Sequence, residues 1–484
     1  MRNEKGETIH GRHQINLSSS NEAFDVVIIG SGPGGYVAAV RAGQLGLKTA
    51  IVEKDKNLGG TCLLRGCIPT KSLLHTADVF EELKHAGDLG VVATGVSLDF
   101  GQAQKRKNKV VLKLAKGVEF LMKKNKIQTF KGTARVEGPG RITVTASDGS
   151  TQNIQTKNMI IATGSVPRSL PGLDIDGKQI ITSDEVLELA EIPKSMIVLG
   201  AGAVGVEFAS MFSRFGTDAT IIELLPRLLP IEDEEISAEL AKSFRKQGIK
   251  SFTNSRFKSV AREDGLVRVT ATVADKDQEF TAEKLLVAVG RRAYTDGLGL
   301  ENLHVEMDRG YIKIDEQMRT SEPNVYAIGD VVPTPWLAHV ASAEGILAVE
   351  AIAGKNPRPI NYDRVPGCTY CQPEVASVGL TEAKARERGY VVKVGKFPIP
   401  VIAKAQILGA TEGMVKIVSD ARYDELLGVH IIGPHATELI SEGGVALQME
   451  ATVEELIHTM HAHPTVSESV HEAAEDVHGM VIHV

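Results

Sequence analysis

Two cysteines five positions apart are the first residues in this chain whose type and spacing promise chemistry. Cys62 and Cys67 lie in GGTCLLRGCIPTK (Gly59 to Lys71), between a glycine pair and a Pro-Thr-Lys that reads as a helix start. At 3.6 residues per turn, a regular helix points the two side chains about 140° apart. A bond between their sulfurs therefore needs a loop or a distorted first turn, and the stretch suits a disulfide that opens and closes. The competing reading is two small thiols buried as hydrophobes, because the spacing is neither a metal spacing nor the shorter redox spacing.

Two other groups invite chemistry. His458, His461 and His463 precede Pro464-Thr465 and Glu468. A metal site would need further ligands brought in by the fold, and no partner carboxylate set is evident. The alternative is a base, His463 oriented and made more basic by Glu468. Cys368 and Cys371 form a CxxC within GCTYCQPEVASVG, with no second pair, and packed core thiols are the favoured reading.

The elements that must position these groups follow one plan used twice. FDVVIIG (Phe24 to Gly30) is a β-branched run suited to a buried parallel strand. It leads into Gly30-Ser31-Gly32-Pro33-Gly34-Gly35, an apolar-periodic helix over 36–45, and a second strand ending at Glu53. Strand, GxGxxG and helix form a dinucleotide cradle: the glycines let backbone approach a pyrophosphate at the helix N-terminus, and the acid accepts from a ribose. Met196 to Leu199, then Gly200, Gly202 and Gly205, then a helix and a strand ending at Glu223 repeat the pattern. Both acids stand 23 positions after the first glycine. Glu223 favours the free hydroxyl of NAD over the phosphate of NADP, with Arg227 a solvated side chain nearby.

Between the copies, 102–126 predicts a helix with a wet basic face and apolar Val110, Val111, Leu114 and Val118. Residues 134–161 read as a β-meander closed by IIATGSVPR, with a boundary near 167–172. The acidic run 232–235 suits a helix N-terminus. LLVAVGRR closes the second nucleotide unit. NVYAIGD then sets Asp330 after a strand, where it either binds a polyol chain or caps the helix expected from Trp336.

With 484 residues, 43% hydrophobic and 24% charged, the chain is long enough for about three globular domains. A net charge of -7 argues against nucleic-acid binding, and no apolar run reaches membrane-spanning length. The first two dozen residues are polar, without the pattern of a signal or transit peptide, and read as a disordered tail. Four cysteines do not make a disulfide scaffold, so a reducing, cytoplasmic setting is expected.

Taken together, GGTCLLRGCIPTK, the paired glycine fingerprints, ATG (Ala162 to Gly164), AIGD and HAHPTVSE resemble the disulfide-reductase family of flavoproteins, the pyridine nucleotide-disulfide oxidoreductases, and within it the dihydrolipoamide dehydrogenases. The resemblance spans the chain after the tail. It implies an α/β fold with two Rossmann-like dinucleotide-binding domains, for FAD and NAD, plus a C-terminal α+β dimerisation domain. The implied division is a tail over 1–22, an FAD-binding domain over 23–166 continued over 293–362, an NAD-binding domain over 167–292, and an interface domain over 363–484. FAD would be held by Gly30, Gly32, Gly35, Glu53 and Asp330, and NAD by Gly200, Gly202, Gly205 and Glu223. Thr163, Gly164, Ala338 and Gly290 would complete the cofactor contacts, with Lys71 near the flavin and paired with Glu207. Cys62 would exchange with substrate and Cys67 would face the flavin. His463 with Glu468 would be the acid/base, serving the other subunit of an obligate homodimer. The implied partners are lipoyl domains of 2-oxoacid dehydrogenase complexes or the glycine cleavage H protein, arriving on another chain.

Leu64-Arg65 replaces the more usual Asn-Val, and Cys368 and Cys371 are extra thiols. A glutathione-type reductase would take NADPH through arginines, against Glu223. A mercuric reductase would carry a C-terminal cysteine pair, and this sequence ends GMVIHV. A single-cysteine flavin oxidase is disfavoured by the presence of both cysteines, and a structural flavoprotein subunit by the retained His463 and Glu468.

Overall fold

The structure is a computed structural model that describes residues 23–410 and 412–484; the tail expected over 1–22 lies outside the described residues. The strand Phe24–Ile29 is buried over its last four residues and pairs in parallel with Thr49–Glu53 on one side and with the second half of Thr151–Ile161 on the other. Gln128–Lys131 and Val325–Ala327 extend this sheet at its two sides, also in parallel. The first half of Thr151–Ile161 instead joins an antiparallel meander with Thr133–Gly138 and Arg141–Thr145. One long strand thus feeds both layers. A helix, Pro33–Gln44, leaves the first strand with proline in its first turn. Ala338–Ile352 lies so close against it that a Cβ on Gly345 would stand 2.5 Å from the Gly34 carbonyl oxygen.

A second parallel sheet repeats the order with Lys250–Phe252, Asp218–Ile222, Ser195–Leu199, Lys284–Val287 and Ile180–Ile181. It too carries a three-stranded antiparallel meander, Arg256–Glu263, Leu266–Val273 and Lys276–Ala282. This meander goes beyond the sequence reading, although Asp264-Gly265 and the alternation of LVRVTATV are hairpin signals. The C-terminal part is a five-stranded antiparallel sheet, Gly367–Thr369, Glu374–Gly379, Leu426–Gly433, Met414–Asp420 and Val392–Pro398. The helices Ala436–Gln448 and Glu468–Val477 pack on it through a shared apolar core.

The lysine-rich helix runs Phe100–Lys124, with Asp99 accepting from the Gln102 amide at 2.8 Å as its cap. Its buried stripe is Ala103, Lys107, Val111, Ala115, Val118 and Met122. Leu114 is a correction to the expected apolar face: it is off this i, i+4 track and 42% exposed. Lys107 is buried because its ammonium donates to the Leu187 carbonyl at 2.6 Å and to Glu188 at 2.8 Å.

The acidic run behaves as expected at the start of Glu234–Lys246, where Asp233 caps by accepting from the Glu235 amide. It also does something the local sequence does not disclose. Buried Lys416, from the C-terminal sheet, reaches Asp233 at 2.9 Å, Glu235 at 2.6 Å and Glu382 at 2.9 Å. Removing one partner from a buried ion pair costs about 3–5 kcal/mol, so this cluster fixes the second nucleotide unit to the C-terminal sheet. Among the described residues, no helix is long and apolar enough to cross a membrane.

Candidate active site

The two cysteines sit on either side of a break. Gly60–Arg65 is a short helix, Gly66 leaves helical geometry at φ −141°, ψ −111°, and Cys67–Lys84 begins anew. A Cβ at Gly66 would stand 3.0 Å from the Thr61 carbonyl oxygen. The break turns Cys62 and Cys67 toward each other, where they are free thiols joined by a hydrogen bond. That bond from Cys62 brings Cys67 down to about 7, against burial and with help from Lys71, and it pushes Cys62 up. The pair thus gives up its first proton easily and its second with difficulty.

Lys71 lies one helical turn beyond Cys67. Its ammonium meets both oxygens of Glu207 at 2.8 and 2.7 Å and lies 4.6 Å from the Tyr370 ring centre. Glu207 stands on Ala203–Arg214, the helix of the second fingerprint, and also accepts from the Tyr370 amide at 3.0 Å. Three units of the chain therefore meet at one ion pair, directly behind the thiols.

One cleft runs past this point. Cys62, Cys67, Lys71 and Glu207 line it together with Gly30, Gly32, Gly35 and Glu53 at one end. Thr163, Gly164, Asp330 and Ala338 line its wall. Gly200, Gly202, Gly205, Glu223 and Gly290 are not in that lining; their neighbours Ala203 and Val204 are. Gly290 follows the strand Lys284–Val287 at φ +107° and accepts from the Arg168 amide at 3.0 Å.

The two fingerprints answer the question of fit in the same way. A Cβ on the first glycine would meet a neighbouring strand carbonyl, Ala162 O at 2.3 Å from Gly30 and Ala288 O at 2.4 Å from Gly200. A Cβ on the third would strike the carbonyl of the first, at 1.9 Å for Gly35 and 2.0 Å for Gly205. The middle glycines, Gly32 and Gly202, have nothing within 4 Å. Close packing on two sides and open space at a helix N-terminus is the cradle a diphosphate requires. The acids match as well. Glu53 accepts from the Ser31 amide at 2.9 Å and its hydroxyl at 2.6 Å, and Glu223 from the Ala201 amide at 2.5 Å. Arg227 pairs with Glu234.

Asp330 does not cap the following helix, which begins at Ala338 with Leu337 as its cap, two residues after the expected Trp336. Its carboxylate accepts from the Ser165 hydroxyl at 2.5 Å, and burial pushes its pKa up against that bond and the charge of Arg291. Arg291 donates to the Ser165 hydroxyl at 2.7 Å and carbonyl at 2.8 Å. Ser31, Ser165 and Arg291 also line the cleft, and the sequence reading did not single them out. Each lies inside or beside a motif it had marked, so position within GxGxxG, ATGS and GRR was the available signal.

Arg65, one of the departures, pairs with Asp55 and lines the cleft. Cys371 is buried as expected, with its thiol 3.1 Å from the Pro373 carbonyl oxygen. Cys368 is a correction: it is half-buried and lines the cleft, and burial pushes its thiol up to about 11.

The three histidines do not converge on a common point for a metal. His458 pairs with Glu454 at 3.0 Å, His461 with Glu442 at 2.6 Å, and His463 with Glu468 at 2.8 Å. His463 and Glu468 are outside the cleft lining, and the His463 side chain is 71% exposed. The pair expected to act as acid/base is formed, then, but points outward from its own chain.

Residues 24–345 match the family model described as pyridine nucleotide-disulphide oxidoreductase, and residues 365–474 match the dimerisation domain of that family. The chain belongs to the pyridine nucleotide-disulphide oxidoreductase family. It is 48% identical over 474 residues to a dihydrolipoyl dehydrogenase of Bacillus subtilis, covering 95% of this chain and 99% of the relative. It is 50% identical over 454 residues to one of Chlorobaculum tepidum, covering 94% and 97%. The solved LpdA of Mycobacterium tuberculosis superposes with a TM-score of 0.86 at 30% identity, over 93% of this chain and 98% of that one. The flavoprotein disulfide reductase RclA of Escherichia coli does so with 0.85 at 27%, over 94% and 99%. FAD and NAD(H) are the cofactors of this family, and the match to its dimerisation domain assigns the C-terminal sheet to pairing with a second copy.

Proposed function

We propose that this chain oxidises the dithiol of protein-bound dihydrolipoamide to lipoamide and reduces NAD to NADH, as the dehydrogenase component of 2-oxoacid dehydrogenase or glycine cleavage complexes. The observation that carries the reading is the Cys62–Cys67 pair across the Gly66 break, in one cleft with the Gly30 cradle and joined to the second cradle's helix by Lys71 and Glu207. The names of the close relatives support it.

In the oxidised protein, a substrate thiolate attacks the Cys62 sulfur, the Cys62–Cys67 bond breaks, and Cys67 leaves as a thiolate. The second substrate thiol then attacks the substrate's own sulfur in the mixed disulfide and releases Cys62. One dithiol and one disulfide become one disulfide and one dithiol, and the two substrate protons must be taken up. A thiol with an ordinary pKa of about 8.5 is mostly protonated at neutral pH, which is why an imidazole at this point speeds the exchange. The partner's His463, held by its Glu468, is that base. Lys71 favours the thiolate left on Cys67. Gly30, Gly32, Gly35, Glu53, Thr163, Gly164, Asp330 and Ala338, which line the cleft, would hold the flavin, and its chemistry when bound would be that of a two-electron acceptor. Gly200, Gly202, Gly205, Glu223 and Gly290 would hold NAD. Glu223 would face a 2′-phosphate with like charge, which disfavours NADP and the glutathione-type alternative. The setting is a reducing compartment, the cytoplasm, and the partners are lipoyl domains or the glycine cleavage H protein.

The test is to purify the flavin-loaded protein and follow absorbance at 340 nm with dihydrolipoamide and NAD, and separately with glutathione disulfide and NADPH. Turnover in the first assay and none in the second is expected. The reverse outcome removes the substrate assignment.

A further inference from the structure

Asp330 is held from two sides by residues that the proposed reaction leaves unused. Its backbone is fixed through Gly329, which stands at φ +70° and donates its amide to Glu344 at 2.6 Å. Glu344, on Ala338–Ile352, is fully buried and also accepts from the Tyr362 hydroxyl at 2.9 Å. The side chain is fixed separately. Ser165 and Arg291 lie on Ser165–Pro167 and Arg291–Ala293, two antiparallel strands that carry the chain from the first parallel sheet to the second and back. Arg291 donates from Nε to the Ser165 hydroxyl at 2.7 Å and from Nη2 to the Ser165 carbonyl at 2.8 Å. A guanidinium only donates and keeps its protons, so the Ser165 hydroxyl oxygen is an acceptor here. Its one proton is left for Asp330 Oδ2, 2.5 Å away. Asp330 lines the cleft, and among the described residues its Oδ1 has no protein donor.

We propose that Ser165 and Arg291 are positioning residues: the one-way hydrogen-bond chain from Arg291 through Ser165 to Asp330 occupies Oδ2 and leaves Oδ1 as the oxygen that accepts a hydroxyl of the flavin's polyol chain. This rests on Asp330 being one of the residues that hold the flavin. The torsion that turns a carboxylate about its last bond is soft, so an aspartate fixed only at its backbone still chooses between orientations. The serine hydroxyl makes that choice before the ligand arrives, and the cost of ordering is not left to binding. The arginine in turn decides where the serine proton points. Arg291 follows directly on Gly290, so the chain begins beside a residue that would hold NAD and ends on one that would hold the flavin.

The test reads flavin release from the purified holoprotein, followed as the rise of free-flavin fluorescence after dilution. Ser165→Ala is expected to release flavin about tenfold faster than wild type, the scale of one lost hydrogen bond to a charged group. Ser165→Thr keeps a hydroxyl and should hold flavin as wild type does, whereas Ser165→Val, of the same shape as threonine, should behave like the alanine variant. Arg291→Met frees the serine proton to turn elsewhere and should accelerate release by less, about threefold. A double-mutant cycle separates positioning from a loss of structure. Because Ser165 acts through Asp330, adding Ser165→Ala to Asp330→Ala should change release little beyond Asp330→Ala alone. Where a variant is purified without flavin, the same comparisons are made through the affinity of the full-length apoprotein for added FAD. Release at the wild-type rate from Ser165→Ala, no difference between threonine and valine, or full additivity with Asp330→Ala overturns the proposal. Failure of the parent reading is seen separately, as Asp330→Ala protein that keeps its flavin like wild type.

Discussion

Whether Cys62 and Cys67 react near neutral pH depends on the groups around them, since free thiols ionise at about 8.5. Here the thiols share a hydrogen bond, and Lys71, anchored on Glu207, adds a positive charge one turn beyond Cys67. The first ionisation of the pair is lowered to about 7. Iodoacetamide alkylation of the reduced holoprotein should therefore accelerate through pH 7, and Lys71→Met should move that midpoint upward. A midpoint at or above the value of a free thiol would contradict the assigned environment. At this scale the sequence was informative about identity and silent about partners. The motif names Cys62, Cys67 and Lys71, but Glu207 lies 136 positions from Lys71 and only the fold makes them a pair. Cys368 shows the same limit, because an extended segment with a CxxC gives no sign of which of its two thiols faces a cleft.

At the scale of elements, the repeated strand–glycine–helix unit makes the glycines separable by task. Gly205→Ala would put a Cβ 2.0 Å from the Gly200 carbonyl oxygen, and the strand and helix would have to part. Gly202→Ala meets nothing within 4 Å. It should leave the unfolding free energy within about 1 kcal/mol of wild type while raising KM for NAD and sparing flavin content. Gly205→Ala should lower both stability and NAD binding. Equal effects of the two substitutions on stability would refute this division, measured by thermal unfolding beside NAD kinetics. The repeat was legible in sequence because it is local: a β-branched run, a glycine spacing and an acid at a fixed offset. The alternation of the second meander, over 256–282, is local too. Leu114 was misplaced because a helix stripe is set by the surface it meets, and the 111–115–118–122 track faces the core.

On the scale of the molecule, three sheets are held in register by contacts that cross great sequence distance. Lys416 and Asp233 are 183 positions apart, and no pattern in either segment foretells their ion pair. What the sequence did foretell is the order of the parts, since each motif marks its own unit. Within one chain Cys62 and Cys67 line the cleft, while His463 and Glu468 lie outside its lining and the His463 side chain is exposed. The central claim is that a Cys62–Cys67 pair in one copy is served by the base of a second copy across a two-fold interface. Purified heterodimers of a Cys62→Ser chain and a His463→Ala chain test it most directly, since each homodimer lacks one component at both sites. A divided site leaves one intact site per heterodimer and about half of wild-type dihydrolipoamide-dependent NADH formation. A site contained within one chain leaves none, and an inactive heterodimer that still holds flavin would contradict the account.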